Sequence, residues 1–485
     1  MLRLARPAVL TLALATLAAC AHDSPSMRGL PLPRDWQAPP APATQDGFGW
    51  GVPPFAPPSA SDCRRSPVQR EVPGARADGQ LLGALRSSSR LADAAREAAG
   101  SSTDAPAAAA TAKSRAEERD GGSQAPRPSA QVSAGMVDDN ADWSEYLAFR
   151  NRGAHLSLRR RDVVERYRVE VRDALDRPVP DAELALAWAG AGARSASSTV
   201  WARSDAGGTA WLHPRAVLPP EADGQPLEVQ VRTPQSRAGA QQVARASLQR
   251  GQKHNLVLRL PAAVEVARPQ LDLVFLVDAT GSMGDEIAKL KASMASIAEQ
   301  IAALPGRPEL CFGLVGYRDR GDQFLTRTHD FTDRLPEFQS ALARLHAAAG
   351  GDYPEALNEA LHEAVHGLSW RGGSATRLVV LVADAPPHLD YGGPQYDETA
   401  AAALAKGIKL HAVGASGLDA QGEAVFRQIA QYTGGRFVFL TYRDAHDPRS
   451  GPGSETVHDV RGYSVDSLDR LVVRLVREEL ARRPS

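Results

Sequence analysis

The run Asp278-Ala279-Thr280-Gly281-Ser282 sets a carboxylate and two hydroxyls at every second position. Oxygens spaced in this way can converge on one cation, and Gly281 lets the chain bend tightly between them. Hard, oxygen-only donors select Mg²⁺, Mn²⁺ or Ca²⁺ over zinc. Because hydroxyls are neutral, such a set leaves much of the ion's charge unquenched, and an external carboxylate can join as a further ligand. A phosphate cradle is the rival reading, but it needs a longer glycine-rich spacing closed by a lysine, which is missing here. A polar turn without an ion is the blander one.

A second motif is His362-Glu363-Ala364-Val365-His366, the spelling in which two histidines on one helix face hold zinc and the glutamate activates water. Its surroundings argue against that chemistry. Leu357, Leu361, Ala364, Val365 and Leu368 form an apolar packing stripe, while Asn358, His362 and His366 share a more polar flank. The continuation Gly367-Leu-Ser-Trp-Arg-Gly brings no third histidine, and no downstream helix offers an obvious glutamate ligand. No nucleophile–base pair or general-acid dyad is evident, so the chain reads as a binding protein and not an enzyme.

The elements that must position the oxygen loop are legible. Leu271-Asp-Leu-Val-Phe-Leu-Val277 is a nearly continuous apolar run, as expected of a strand buried on both faces at the centre of a parallel sheet. A helix-forming stretch covers 284–303. Strand patterns at 310–317, 377–383, 408–413 and 436–440 then alternate with helical segments. That alternation predicts a doubly wound, mostly parallel α/β domain. Ligands of such sheets bind beyond the carboxyl ends of the strands, where Asp278 stands. Leu468, Leu471, Val472, Leu475, Val476 and Leu480 predict an amphipathic last helix docked on the sheet.

An Asp-x-Thr-x-Ser loop after an apolar strand resembles the metal-ion-dependent adhesion site of von Willebrand factor type A domains. The family's third loop is matched by Gly350-Gly351-Asp352-Tyr353-Pro354-Glu355-Ala356-Leu357, and its final aspartate by Asp384 in Leu381-Val382-Ala383-Asp384. The resemblance covers residues 268–482. It implies that Thr280 and Ser282 are direct ligands, that Asp278 and Asp384 bind directly or through water, and that Asp352 completes or modulates the shell. The implied ion is Mg²⁺, or Mn²⁺ or Ca²⁺, and the implied partner is a protein offering an acidic residue. Asp352 departs from the adhesive relatives, which carry threonine there; a further carboxylate lowers the ion's residual charge if it coordinates. Arg320-Gly321-Asp322 spells a tripeptide that animal integrins recognise. It falls inside Gly316-Tyr-Arg-Asp-Arg-Gly-Asp322, which fits a turn of this family, with Arg318 and Asp319 expected to pair locally.

The rest of the chain is carriage. Arg3 and Arg6 precede a short apolar run ending in Leu17-Ala18-Ala19-Cys20, which resembles the bacterial lipobox. The run is too short to span a bilayer but fits a signal peptide, residues 1–19. The resemblance implies acylation of Cys20, hence membrane attachment through the lipid, and Ala21 points to the outer membrane of the bacterial envelope. Between residues 21 and 140 fall 15 of the 35 prolines, without sustained hydrophobic period, so 20–140 reads as a disordered tether. From 160 to 262, seven short alternating runs predict a small β-sandwich. Asp173-Ala-Leu-Asp-Arg-Pro-Val179 and Asp205-Ala-Gly-Gly-Thr-Ala210 there resemble the carboxypeptidase-regulatory-like sandwich, and a spacer or interaction role is expected of it. Lys and Arg number 56 against 57 Asp and Glu, which argues against nucleic acid as a partner. Cys63 and Cys311 remain; nothing in the sequence pairs them. A metal-independent envelope scaffold is the alternative function.

Overall fold

A computed structural model describes residues 53–74, 132–188, 199–233, 241–251, 254–265, 268–304, 307–350, 353–373 and 375–484. Residues 1–19, expected to be a signal peptide, Cys20 and Asp352 lie outside the described residues. In chain order the described elements begin with β1 (Gln69–Val72), β2 (Ser133–Val137) and helix α1 (Trp143–Arg152). Short strands follow: β3 (Tyr167–Arg172), β4 (Glu183–Trp188), β5 (Val200–Arg203), β6 (Thr209–Leu212), β7 (Leu227–Arg232), β8 (Val243–Leu248) and β9 (Asn255–Arg259). Strands and helices then alternate through β10 (Gln270–Asp278), α2 (Ile287–Ala302), β11 (Glu309–Tyr317), β12 (Thr326–Thr332), α3 (Leu335–Ala343), α4 (Leu357–His362), β13 (Thr376–Ala383) and α5 (Tyr396–Lys406). The chain closes with β14 (Ile408–Gly414), α6 (Ala420–Thr433), β15 (Phe437–Leu440), the hairpin β16 (Tyr442–Asp444) and β17 (Asp447–Pro452), β18 (Asp466–Ser467) and α7 (Leu468–Ala481).

The large sheet has the order β1-β12-β11-β10-β13-β14-β15-β2-β18. Its five inner strands, β11, β10, β13, β14 and β15, are parallel, and antiparallel strands flank them on both sides. Side chains of β10 alternate between two cores, as the period of two requires. Leu271, Leu273, Phe275 and Val277 meet α2, α3 and α7, whereas Val274 and Leu276 meet α4, α5 and α6. Helix α2 earns its place by spacing: Ile287, Leu290, Met294, Ile297 and Ile301 fall on one face and are buried. Helix α6 opens on Asp419, whose carboxylate accepts from Gly422 N at 2.7 Å, and stops at Gly434, φ +76°.

The strands β3–β9 form a three-stranded sheet, β6-β3-β9, and a four-stranded one, β5-β4-β7-β8. Both contribute to one core, with Tyr167, Val169 and Val171 from the first and Leu184, Leu186, Val229 and Val231 from the second. That core continues into Tyr146 and Phe149 of α1 and into Leu404 and Tyr432 of α5 and α6, so these sheets pack directly on the larger domain. The contact is also ionic. Arg377, at the start of β13, donates to both oxygens of Asp181 at 2.9 and 3.1 Å, and Lys409, at the start of β14, pairs with Glu479 at 2.6 Å and Asp205 at 3.3 Å.

Two pieces of the stretch read as tether are structured. Residues 53–74 form a strap along one edge of the sheet. Ala60 exchanges backbone bonds with Trp370 and Gly372, just before β13; Cys63 is disulfide-bonded to Cys311; and β1 lies antiparallel to β12. The strap reaches the carboxyl end of the strands, where Gly321 N donates to Gly74 O at 2.9 Å. On the far edge β2 pairs with β15 and β18. Both escape a local reading because these strands take their stability from partners hundreds of residues away and not from local alternation.

Candidate metal-ion site

Asp278 is the last residue of β10, and the loop after it is fixed largely by backbone. Ala279 N donates to Tyr317 O at 2.9 Å, Gly281 N to Ala349 O at 2.8 Å, and Ala348 N to Ala279 O at 3.1 Å. A Cβ on Gly281 would lie 2.5 Å from Ala349 O, so only glycine lets the first and third loops approach this closely. Thr280 donates to Asp278 Oδ1 through its amide at 2.9 Å and its hydroxyl at 2.6 Å, and its Oγ1 stands 3.1 Å from Ser282 Oγ. Asp384 follows β13, directly beside β10 in the sheet, so its carboxylate stands near the Asp278 loop beyond the strand ends.

The charges there are not balanced. Asp278 Oδ2, Asp384 Oδ1 and Glu355 Oε2 are buried oxygens without a hydrogen-bond donor. Burial first, then the neighbouring charge of Asp384, pushes the Asp278 carboxyl up to about 7, against the pull of Thr280. Burial likewise raises Asp384. Glu355 is pushed up to about 9 by burial and by the charges of Asp278, Asp319, Asp322 and Asp384. Tyr317, buried on β11, is held well above its usual range by burial and the same carboxylates. Desolvated carboxylates that accept no proton donor and face one another cost free energy unless a cation joins them. The donor set fits a hard divalent ion, with one qualification. Among the described residues no three His, Cys, Asp or Glu side chains gather around a single point, so the hydroxyls of Thr280 and Ser282 are needed to complete it.

Two residues matter more than the sequence suggested. Glu355, in the third loop three residues after Asp352, is 3% exposed, and its carboxyl feels the charges of Asp278 and Asp384. Arg318 does not pair with Asp319. Its Nε donates to Ala279 O at 3.1 Å and its Nη2 to His346 O at 2.9 Å, tying the first loop to the approach of the third. Asp319 instead accepts from the Tyr391 hydroxyl at 2.8 Å. The tripeptide 320–322 is structural: Arg320 pairs with Glu359 at 2.6 Å and lies over the Tyr391 ring, and Asp322 accepts from Gly350 N at 3.1 Å.

His362 and His366 stack at 4.4 Å, but the rest of that motif is otherwise engaged. Glu363 pairs with Arg70 at 2.7 Å and accepts from Thr328 at 3.0 Å, while the Lys406 ammonium donates to His366 Nδ1 at 3.2 Å. A glutamate held by arginine and a histidine lone pair held by lysine are not poised around zinc.

Comparison with known proteins decides the family of this region. Residues 272–445 match the profile of the von Willebrand factor type A domain. A domain of that type is present. Curated relatives include an alpha-protein kinase of Dictyostelium discoideum, 30% identical over 139 residues, and von Willebrand factor A domain-containing protein 7 of Rattus norvegicus, 37% identical over 97 residues. These matches cover 28% and 20% of this chain and only 22% and 10% of the relatives. A solved structure, proximal thread matrix protein 1 from the mussel byssus, is 16% identical with a TM-score of 0.28 over 34% of this chain and 41% of that one, too remote to bear on function. Domains of this type generally mediate protein–protein interaction, often through a divalent metal, and are typically without catalysis of their own.

Proposed function

We propose that the chain is an envelope-anchored lipoprotein that binds a protein partner through a divalent metal held by its type A domain. The observation that carries the reading is the pair of orphaned, buried oxygens Asp278 Oδ2 and Asp384 Oδ1 beside the hydroxyls of Thr280 and Ser282. In this reading Thr280 and Ser282 ligate Mg²⁺ (or Mn²⁺ or Ca²⁺) directly, Asp278 and Asp384 hold it directly or through water, and Asp352 completes or modulates the shell. The metal supplies positive charge that the neutral hydroxyls leave unquenched, and an acidic residue of the partner fills the remaining position. Acylation at Cys20 after removal of residues 1–19 attaches the chain to the outer membrane, and residues 160–262 form a carboxypeptidase-regulatory-like sandwich. The disulfide between Cys63 and Cys311 supports an oxidising compartment.

The test is calorimetric titration of Mg²⁺ and Mn²⁺ into the full chain and into its Asp278→Ala variant, followed by partner capture with and without chelator. Saturable binding that the variant loses, together with chelator-sensitive capture, is the expected result. Capture that ignores the chelator removes the metal from the function and leaves the metal-independent scaffold.

A further inference from the structure

A cleft of about 300 Å³ opens beside the metal loop, lined by Leu418, Leu440, Tyr442, Pro448, Val457 and His458 among others. Two of its walls, the hairpin β16–β17 and the loop through residue 458, run past residue 445, where the match to the family ends. The cleft is therefore closed in part by residues beyond that match.

Its position ties it to the metal loop. Gly417, on the cleft's rim, has φ +99°, and a Cβ placed there would have Asp384 as its only neighbour, at 4.0 Å. At the rear, Glu286 follows the metal loop directly and accepts from Ser416 N at 3.2 Å and from the hydroxyls of Ser416 and Tyr442. An extended chain advances about 3.3 Å per residue, so a segment with one side chain at the metal reaches the cleft within about one or two residues.

The lining also states what it accepts. The hydroxyls of Ser416 and Tyr442 are taken by Glu286, His458 Nδ1 is taken by Glu423 at 3.2 Å, and the Thr456 hydroxyl accepts from His458 N at 3.3 Å. The exposed His446 ring also lines the cleft, beside the aliphatic and aromatic surface of Leu418, Leu440, Pro448 and Val457. Val457, 54% exposed, and Tyr353, 48% exposed in the third loop with its hydroxyl on Asp419 N, flank the same face with large apolar side chains. Resting on the metal-binding reading above, we propose that the cleft is a specificity pocket: the partner presents an extended segment whose acidic residue meets the metal and whose apolar side chain, one or two positions away, enters the cleft.

The test uses the full chain and terminally blocked peptides Ser-Gly-Asp-X-Gly-Ser and Ser-Asp-Gly-X-Gly-Ser, with X as Phe, Leu or Gly, in Mg²⁺ and in chelator. With Mg²⁺ bound, Phe or Leu in at least one spacing is expected to bind about tenfold tighter than Gly, the burial of one apolar side chain less its immobilisation. Ala445→Trp, which fills the cleft, and Val457→Lys, an exposed change that leaves the fold alone, are each expected to abolish that preference while metal titration is unchanged. Metal binding with equal or undetectable binding of all peptides overturns the pocket and leaves the metal reading standing. A preference that survives the chelator or both substitutions also overturns it. A chain that takes up no metal fails at the earlier reading, and the pocket falls with it.

Discussion

The two ends of the large sheet bury the same kinds of residue and treat them oppositely. At the amino end of the inner strands, Asp272 lies fully buried on β10 and accepts from Arg371 through its amide at 2.8 Å and its guanidinium at 2.6 Å. Arg371 spends its remaining donors on Leu271 O and Glu309 O, and nearby Arg377 closes on Asp181. At the carboxyl end of the same strand, six residues on, Asp278 faces Asp384 and Glu355, and among the described residues no cationic side chain pairs with it. A buried carboxylate is costly at either place. One end answers that cost with arginine inside the fold, and the other has no such answer among the described residues.

The sharpest way to break this contrast is to unpair the closed end. Arg371→Met leaves Asp272 buried without its partner and is expected to cost about 3–5 kcal/mol in denaturant unfolding; a loss below about 1 kcal/mol would make the two ends alike. Asp278→Asn should do the reverse. In chelator at pH 8 it is expected to stabilise the protein by about 1–2 kcal/mol, while forfeiting the roughly 2.7 kcal/mol that Mg²⁺ at a hundred times its Kd lends the wild type. A variant that loses stability in chelator and keeps the Mg²⁺ response contradicts the assignment.

pH sharpens the comparison further. Asp278 and Glu355 have folded-state values above their unfolded ones, so the native state holds protons that the unfolded chain has released. Each of these carboxyls therefore lowers metal-free stability by up to about 1.4 kcal/mol per unit as pH rises from about 4 toward 7, and on toward 9 for Glu355. His213, His329, His366 and His411, held below the usual imidazole range by burial, act the other way up to about pH 6.5, so the Asp278 contribution is read as the difference between wild type and Asp278→Asn in chelator; a difference that stays constant between pH 5 and 7 would refute the argument. The smallest expected effect concerns Glu363. Glu363→Gln loses a partly exposed pair with Arg70, about 1 kcal/mol or less; adding zinc to either protein should leave melting temperatures unchanged.

Much of the fold was legible in residues 271–440, because strands buried on both faces announce themselves as apolar runs, and Asp278, Thr280 and Ser282, which the structure places in mutual contact, are neighbours in sequence. What the sequence concealed was long-range. β12, Thr-Arg-Thr-His-Asp-Phe-Thr, carries no apolar run since it lies toward the sheet's edge. β2, Ser-Ala-Gly-Met-Val, is too small-residued to stand out from its surroundings. Asp272 looked like a blemish in an apolar strand because its partner lies 99 residues on. Arg318 was expected to reach its neighbour, whereas the backbone carbonyls it holds come from two other loops.

The strap has a mechanical consequence. Any pull on the chain from its amino side meets Cys63 before it meets β1, and Cys63 is covalently joined to β11, the strand next to β10. Load thus bypasses the hydrogen bonds between β1 and β12, which would otherwise open one after another, and passes into the middle of the sheet. There β10 and β11 are held along their whole length, from Gln270 opposite Glu309 to Asp278 opposite Tyr317, and must shear together if they yield at all. A pull applied in this way does not unravel the edge that β1 forms on β12.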